Sequence, residues 1–206
     1  MTQLIIDGVA ARQREPWRMR AWRWSSFAVL YLVLVAVFRA TVADINYVPS
    51  GSMAPTLSTG DFIFVNVLAY GFKLPFTQQP LWEWSAPERG DVVVFYAPGR
   101  EKRFVKRVVG LPGDSIEMRQ GQLFVNGKPT SEASIVRGEA GSFGPQTVPP
   151  GRFFVMGDNR GGSIDSRSFG GIERWRIIGR ATAVIFALDR DACSLPRWDR
   201  CFRLLP

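Results

Sequence analysis

Two serines of this chain, Ser50 and Ser52, lie in a short segment whose prolines and glycines predict an exposed turn. An exposed serine hydroxyl becomes a nucleophile when a neighbouring group accepts its proton, and the usual acceptor is a histidine imidazole. The chain of 206 residues contains no histidine. If one of these serines attacks a substrate, another side chain must act as the base; the alternative is that the segment is only a turn.

Lysine is the best remaining candidate for this base, and the lysines of the chain are Lys73, Lys102, Lys106 and Lys128. A lysine accepts a proton near neutral pH only when burial or a nearby cation lowers its pKa. Strand alternation predicts this for Lys106, which shares a face with Phe104 and Val108 while Arg107 points the other way. The other lysines fall in a charged turn, a hairpin turn and an aromatic loop. The alternative for Lys106 is an edge-strand lysine that extends to solvent.

A third polar cluster, between Gly157 and Gly170, is dense in Asp, Arg and Ser. The default interpretation of such a stretch is a solvated turn between strands. Three polar clusters in one small domain nevertheless favour their convergence at a single site.

Composition describes a globular protein, with 46% hydrophobic and 21% charged residues. The net charge of +8 comes mainly from arginines spread along the chain. Since no helix-turn-helix, zinc or RNA-binding signature accompanies them, nucleic acid is not an expected partner.

One long apolar run, Phe27–Phe38, predicts a membrane anchor over residues 22–43 that follows a basic segment, residues 1–21. Arginines are frequent before this run, and after Arg39 the next basic residue is Lys73, so the positive-inside rule predicts a cytoplasmic N-terminus. One alternative is a cleaved signal peptide with its site at residues 41–43, disfavoured because Arg39 precedes that site and a threonine occupies a small-residue position. Another is a short core helix.

Beyond the anchor, residues 44–206 are predicted to form a β-rich extracytoplasmic domain with a small accessory region at about 115–152. Short apolar or β-branched runs bounded by turn residues predict strands at Phe62–Leu68, Asp91–Tyr96, Phe104–Val109, Gln122–Val125, Phe153–Met156 and Thr182–Leu188. Asn126-Gly127 is a hairpin signal. The cysteines, Cys193 and Cys201, form either a disulfide or two free thiols.

Several motifs occur in one order along the chain: Pro49-Ser-Gly-Ser-Met-Ala-Pro-Thr-Leu57, Gly60-Asp61, Gly90-Asp91-Val-Val-Val-Phe, Lys106-Arg-Val-Val-Gly-Leu-Pro-Gly-Asp114, and Gly157-Asp-Asn-Arg through Asp165-Ser-Arg167. Together they resemble the motifs of bacterial type I signal peptidases, the leader peptidases that use a Ser/Lys dyad. The resemblance implies a mainly β fold of antiparallel sheets, like that of signal peptidases and repressor proteases, with one N-terminal transmembrane helix.

The resemblance also implies a role for each matching residue. Ser52 is the nucleophile, Lys106 the general base, Ser50 an oxyanion donor and Ser163 the hydroxyl that orients the lysine. Four charged residues support the site: Asp158, Arg107, Asp165 and Arg167. Seven residues shape small pockets for the substrate: Val48, Pro49, Met53, Leu57, Ile63, Phe104 and Val105. Neither a metal nor a cofactor is implied.

The implied activity is removal of signal peptides from exported preproteins by cutting after small residues of the Ala-x-Ala type. The implied partners are preprotein signal peptides and the lipid bilayer, with secretion machinery as a further candidate; the oligomeric state is unknown. The implied location is the cytoplasmic membrane, with a single pass and an extracytoplasmic catalytic domain. Two other functions stay open: a self-cleaving repressor-type Ser/Lys protease, and a membrane-tethered β domain that binds peptides without cleaving them.

Overall fold

The computed structural model describes residues 17–74, 80–130, 141–189 and 195–206. Helix α1, Trp17–Thr41, is the one described helix that is long and apolar enough to cross a membrane, over Met19–Thr41. Compactness divides the chain into two units, Met1–Phe38 and Arg39–Pro206. The helix begins earlier than the predicted anchor and ends earlier too, because Ala43 already pairs with Asn66 as the first residue of a strand.

The second unit is built from strands, which confirms the prediction of a mainly β fold. The described strands are β1 Ala43–Tyr47, β2 Asp61–Asn66, β3 Gly71–Lys73, β4 Pro80–Glu83, β5 Val92–Tyr96, β6 Arg103–Gly110, β7 Ser115–Arg119, β8 Gln122–Val125, β9 Lys128–Pro129, β10 Phe143–Thr147, β11 Arg152–Met156, β12 Ile172–Glu173, β13 Ile177–Asp189, β14 Leu195–Pro196 and β15 Arg203–Leu204. A short helix, α2, spans Ser166–Phe169. All six strands predicted from apolar runs are present.

The main sheet has the strand order β1-β2-β13-β5-β6-β11-β12, and each neighbouring pair is antiparallel. Strands β14 and β15 pair with the long strand β13. One core cluster joins residues of β2, β5 and β13 and contains Leu57, Ile63, Val65 and Val184. A second contains Phe95, Val108 and Val155. Strand β6, which carries Lys106, pairs with β5 over residues 103–107 and with β11 over residues 107–110.

A separate four-stranded sheet has the strand order β10-β7-β8-β9 and lies within residues 115–147. The hairpin signal is confirmed at the β8–β9 turn, where Asn126 and Gly127 both have positive φ. Gly110 is the last residue of β6. A Cβ at this position would lie 2.7 Å from the Ile116 side chain of β7, so glycine lets the four-stranded sheet pack close to the end of β6.

Of the two cysteines, Cys193 lies outside the described residues. Cys201 has a free thiol, and its Sγ donates to the Arg197 carbonyl at 3.3 Å.

Candidate active site

The two serines occupy a tight turn directly after β1. Ser50 is extended and precedes a single 3-10 turn, Gly51–Met53, which closes when the Ala54 N–H donates to the Gly51 carbonyl at 3.0 Å. Met53 is 1% exposed and fastens the turn to the core, whereas Ser52 remains half-buried. The Ser52 hydroxyl is therefore rigidly held and still open to an approaching group.

Lys106 meets this hydroxyl from the middle of β6. Its Nζ lies 2.6 Å from Ser52 Oγ, and the residue is only 2% exposed. The Phe104 ring on the same face has its centroid 5.9 Å from Nζ, as the strand alternation predicts. The structure thus brings together the two residues predicted to react.

Burial lowers the pKa of Lys106 to about 8. The carboxylates of Asp165 and Asp158 oppose this shift by raising the pKa, and Arg167 adds to it. Desolvation outweighs the acidic neighbours because the ammonium form loses its hydration in this position. A substantial fraction of Lys106 is therefore neutral near pH 8 and able to accept a proton.

A second lysine, Lys73, is also desolvated, so the expectation that only Lys106 meets the burial criterion is wrong. Burial lowers the pKa of Lys73 to about 8, with Arg174 lowering it further. Its Nζ donates to the backbone carbonyls of Trp175 and Ile177. What distinguishes Lys106 is its contact with a serine hydroxyl, and not the lowered pKa alone.

Asp158 is fully buried and pairs with Arg107 in a bidentate arrangement, with Arg107 Nε 2.9 Å from Oδ1 and Nη2 2.8 Å from Oδ2. The Thr56 hydroxyl donates to the same carboxylate at 2.6 Å. Arg107 also donates to the Gly90 carbonyl at 2.7 Å. This network joins the segment after Ser52 to the strand that carries Lys106.

Asp165 is the second buried carboxylate, and it receives both Nε and Nη2 of Arg167 at 2.8 Å. It also accepts the Gly157 N–H at 3.0 Å and caps the N-terminus of α2. Burial by itself raises the pKa of Asp165, but these hydrogen bonds outweigh burial and lower it. Asp165 therefore stays ionised and fixes the loop between β11 and α2.

Two residues of this loop directly hold the Gly51–Met53 turn, which we call the nucleophile turn because it carries the candidate nucleophile Ser52. The motif resemblance implies no role for either residue. The Asn159 N–H donates to the Ser52 carbonyl at 3.2 Å, and Asn159 Nδ2 donates to the Gly51 carbonyl at 3.3 Å. Gly157 packs so closely that a Cβ there would collide with both the Ser52 carbonyl and Ser163 Oγ. Thr56 likewise lies within one of the motifs, and the resemblance implies no role for it.

The remaining polar candidates, Ser50 and Ser163, lie beside the pair. Ser50 is exposed and its Oγ is 3.4 Å from Ser52 Oγ. Ser163 Oγ is buried and makes no hydrogen bond of good geometry with a described residue, but it lies close enough to Asp165 to help lower the pKa of that carboxyl. Its packing on Gly157 places this hydroxyl close to the nucleophile turn, although no hydrogen bond to Lys106 is formed within the described part of the chain.

The seven residues predicted to shape substrate pockets divide by exposure. Four are at most 3% exposed and belong to the core cluster: Val48, Met53, Leu57 and Ile63. Val105 packs against the same cluster while partly exposed, Phe104 is half-buried in the neighbouring cluster, and Pro49 is exposed. The four core residues therefore form an apolar layer beneath the site, and the other three are the ones available at its surface.

The described residues contain no group of three or more His, Cys, Asp or Glu side chains placed to hold a metal ion. They do contain a serine hydroxyl in contact with a desolvated lysine, which is the pairing required by a serine hydrolase with a lysine base.

Comparisons with known proteins agree with this class. The sequence model of the family described as "Signal peptidase, peptidase S26" matches residues 21–186. Signal peptidase I of Leptolyngbya laminosa is 36% identical over 78% of this chain and 77% of its own length. A probable signal peptidase I-2 of Synechocystis is 33% identical over 92% and 84%, and signal peptidase I of Pseudomonas aeruginosa is 35% identical over 85% and 76%. The chain belongs to the signal peptidase family S26, which confirms the resemblance seen in the motifs.

Proposed function

We propose that this chain is a membrane-anchored serine endopeptidase that removes N-terminal signal peptides from exported preproteins, with Ser52 as nucleophile and Lys106 as general base. The observation that carries the proposal is the 2.6 Å contact between Ser52 Oγ and the buried Lys106 Nζ. Membership of the signal peptidase family supports the same activity and substrate class.

The reaction begins when neutral Lys106 takes the hydroxyl proton of Ser52 and Oγ attacks the scissile carbonyl carbon. Collapse of the tetrahedral intermediate breaks the C–N bond, and the Lys106 ammonium returns the proton to the leaving amine. Water then attacks the acyl-enzyme ester while Lys106 accepts one of its protons. In the second collapse the bond between the acyl carbon and Oγ breaks, Lys106 gives its proton to Oγ, and the carboxyl product leaves.

Ser50 and the backbone N–H of Ser52 are the proposed donors to the oxyanion. A donor aimed at the developing charge contributes most when it is fixed beforehand. The extended backbone of Ser50 and the closed 3-10 turn after it supply this rigidity. Ser163 is the proposed hydroxyl that orients the amine of Lys106.

The substrate would bind as an extended strand next to the dyad. Within the described pairings, the residues of β6 before Arg107 pair with β5 alone, which leaves their other edge available beside Ser52. Pro49, Phe104 and Val105 lie at the surface here over the apolar core layer. Small apolar pockets at this place would select small residues at the −1 and −3 positions by excluding larger side chains.

The proposed location is the cytoplasmic membrane, with α1 as a single-pass anchor, the N-terminus in the cytoplasm and the catalytic unit outside. Support comes from the apolar helix Met19–Thr41 and from the arginines that precede it. The lipid bilayer and preprotein signal peptides are then the direct partners, and contact with secretion machinery is a further proposal.

The test is preprotein cleavage by the full chain in detergent micelles. Ser52→Ala and Lys106→Ala should each abolish cleavage, while Lys128→Ala, which alters an exposed lysine, should leave the rate unchanged. The wild-type rate should rise with pH through about 8, because the base must lose its proton. Appreciable turnover by either dyad variant would contradict the mechanism, and binding without cleavage by the wild type would favour a peptide-binding domain.

A further inference from the structure

Asp61, the first residue of β2, is a fully buried carboxylate that is held by two arginines from the C-terminal end of the chain. Arg197 Nη2 lies 3.1 Å from Oδ1, and Arg200 contributes Nε at 3.3 Å and Nη2 at 2.8 Å. The Ser58 N–H donates to Oδ2 at 2.8 Å. Breaking a buried ion pair is costly, so this junction is rigid.

The two arginines belong to residues 195–205, which we call the C-terminal clamp. Its strands β14 and β15 pair with β13, and the Arg197 N–H donates to the Ala187 carbonyl at 2.8 Å. The clamp is thus fixed to the longest strand of the main sheet. It lies beyond residue 186, where the match to the family ends.

The clamp reaches the active site through Thr56. Arg200 Nη2 donates to the Thr56 carbonyl at 3.2 Å, while the Thr56 hydroxyl donates to Asp158. The next residue, Leu57, donates its N–H to the Met53 carbonyl at 2.9 Å, which closes the chain onto the nucleophile turn. The segment between Met53 and Asp61 is therefore held from the clamp on one side and from Asp158 on the other.

We propose that Arg200 is a positioning residue for the reaction: it anchors Thr56 and Asp61 to the C-terminal clamp and so keeps Ser52 in register with Lys106. This role rests on the proposed function, since its consequence is a rate of peptide cleavage. A guanidinium is required because it bonds the Thr56 carbonyl and both oxygens of Asp61 at once, whereas an ammonium is a compact charge without that fork.

The test compares Arg200→Lys with Arg203→Lys in the full chain in detergent micelles. Arg200→Lys keeps the positive charge beside Asp61, so the fold is retained. The lysine, however, lacks the planar guanidinium that bonds Asp61 and the Thr56 carbonyl at once. Arg203→Lys makes the same change at an exposed position of the clamp. Hydrogen–deuterium exchange of residues 54–61 is measured together with kcat and KM for a preprotein.

We expect Arg200→Lys to speed exchange within residues 54–61 and to lower kcat by about tenfold or more with KM nearly unchanged, because small misplacements of reacting groups slow catalysis strongly. Arg203→Lys should match the wild type. The proposal would be overturned if Arg200→Lys left exchange within residues 54–61 unchanged or left kcat unaltered. It would also be overturned if exchange rose equally in the four-stranded sheet. A further outcome is that the wild type fails to cleave the preprotein while Arg200→Lys still speeds exchange within residues 54–61. That result would show that Arg200 anchors this segment and that the proposed function is wrong.

Discussion

Replacing the base with a lysine isostere, Lys106→Met, should stabilise the protein while abolishing cleavage. The reason is that Lys106 is 2% exposed and its pKa is about 8, against 10.5 for an ordinary lysine. Each unit of pKa difference between folded and unfolded states corresponds to about 1.36 kcal/mol. At neutral pH the folded state therefore carries a cost of about 3 kcal/mol for the buried ammonium, which methionine avoids.

The sign of this effect sets a pH dependence. Below pH 8 the lysine is protonated in both states, and the full cost is present. Between pH 8 and 10.5 the unfolded state binds more protons than the folded state, so the free energy of unfolding of the wild type rises with pH. The advantage of Lys106→Met should shrink across this window and vanish above it.

Urea unfolding in micelles, followed by tryptophan fluorescence at pH 7 and at pH 10, measures the difference. Taking wild type and variant at the same pH cancels the titration of all shared groups. Lys128→Met, at an exposed position, should leave the free energy of unfolding unchanged at both values. A variant less stable than the wild type at pH 7, or an advantage that does not change with pH, would refute the assignment of Lys106 as a desolvated amine.

Two further substitutions test the surroundings of the dyad. Gly157→Ala should lower kcat about tenfold or more, because the added Cβ would collide with the Ser52 carbonyl and Ser163 Oγ. Steady-state cleavage of a preprotein measures this kcat, and a value equal to that of the wild type would contradict the prediction. Lys73→Met removes the other lysine whose pKa is about 8, yet cleavage should stay within about twofold of the wild type because Lys73 contacts backbone carbonyls and no reacting group. A large loss of kcat in that variant would show that Lys73 has a part in catalysis.

The elements that hold the dyad could be predicted from local pattern. Apolar and β-branched runs bounded by turn residues predicted β2, β5, β6, β8, β11 and β13, because these strands bury side chains that stand close together in the sequence. The alternation along β6 also placed Lys106 on the face of Phe104, as observed. The other described strands were not predicted, since they are at most five residues long and carry too few apolar residues to show a period: β1, β3, β4, β7, β9, β10, β12, β14 and β15.

The contacts that position the serine could not be predicted, because they join residues far apart in the chain. The Thr56 hydroxyl meets Asp158 across 102 positions, and the Asn159 amide meets Gly51 across 108. No local pattern encodes such a pairing, and threonine or asparagine beside a turn is ordinary. The burial of Lys73 was missed for the same reason, since its carbonyl partners lie about a hundred positions away.

Two carboxylates act on Lys106, and the pairing of each with an arginine explains how this lysine can stay partly neutral among acids. Asp158 and Asp165 both raise the pKa of Lys106, and unopposed they would keep it protonated. Each, however, is paired with its own arginine, Arg107 or Arg167, in a two-pronged contact that offsets its charge. Because the acids are neutralised pairwise, burial becomes the dominant influence on Lys106, and the same carboxylates are freed to fix the loops on both sides of Ser52. One set of ion pairs thus supplies both the rigidity of the site and the electrostatic balance that its base requires.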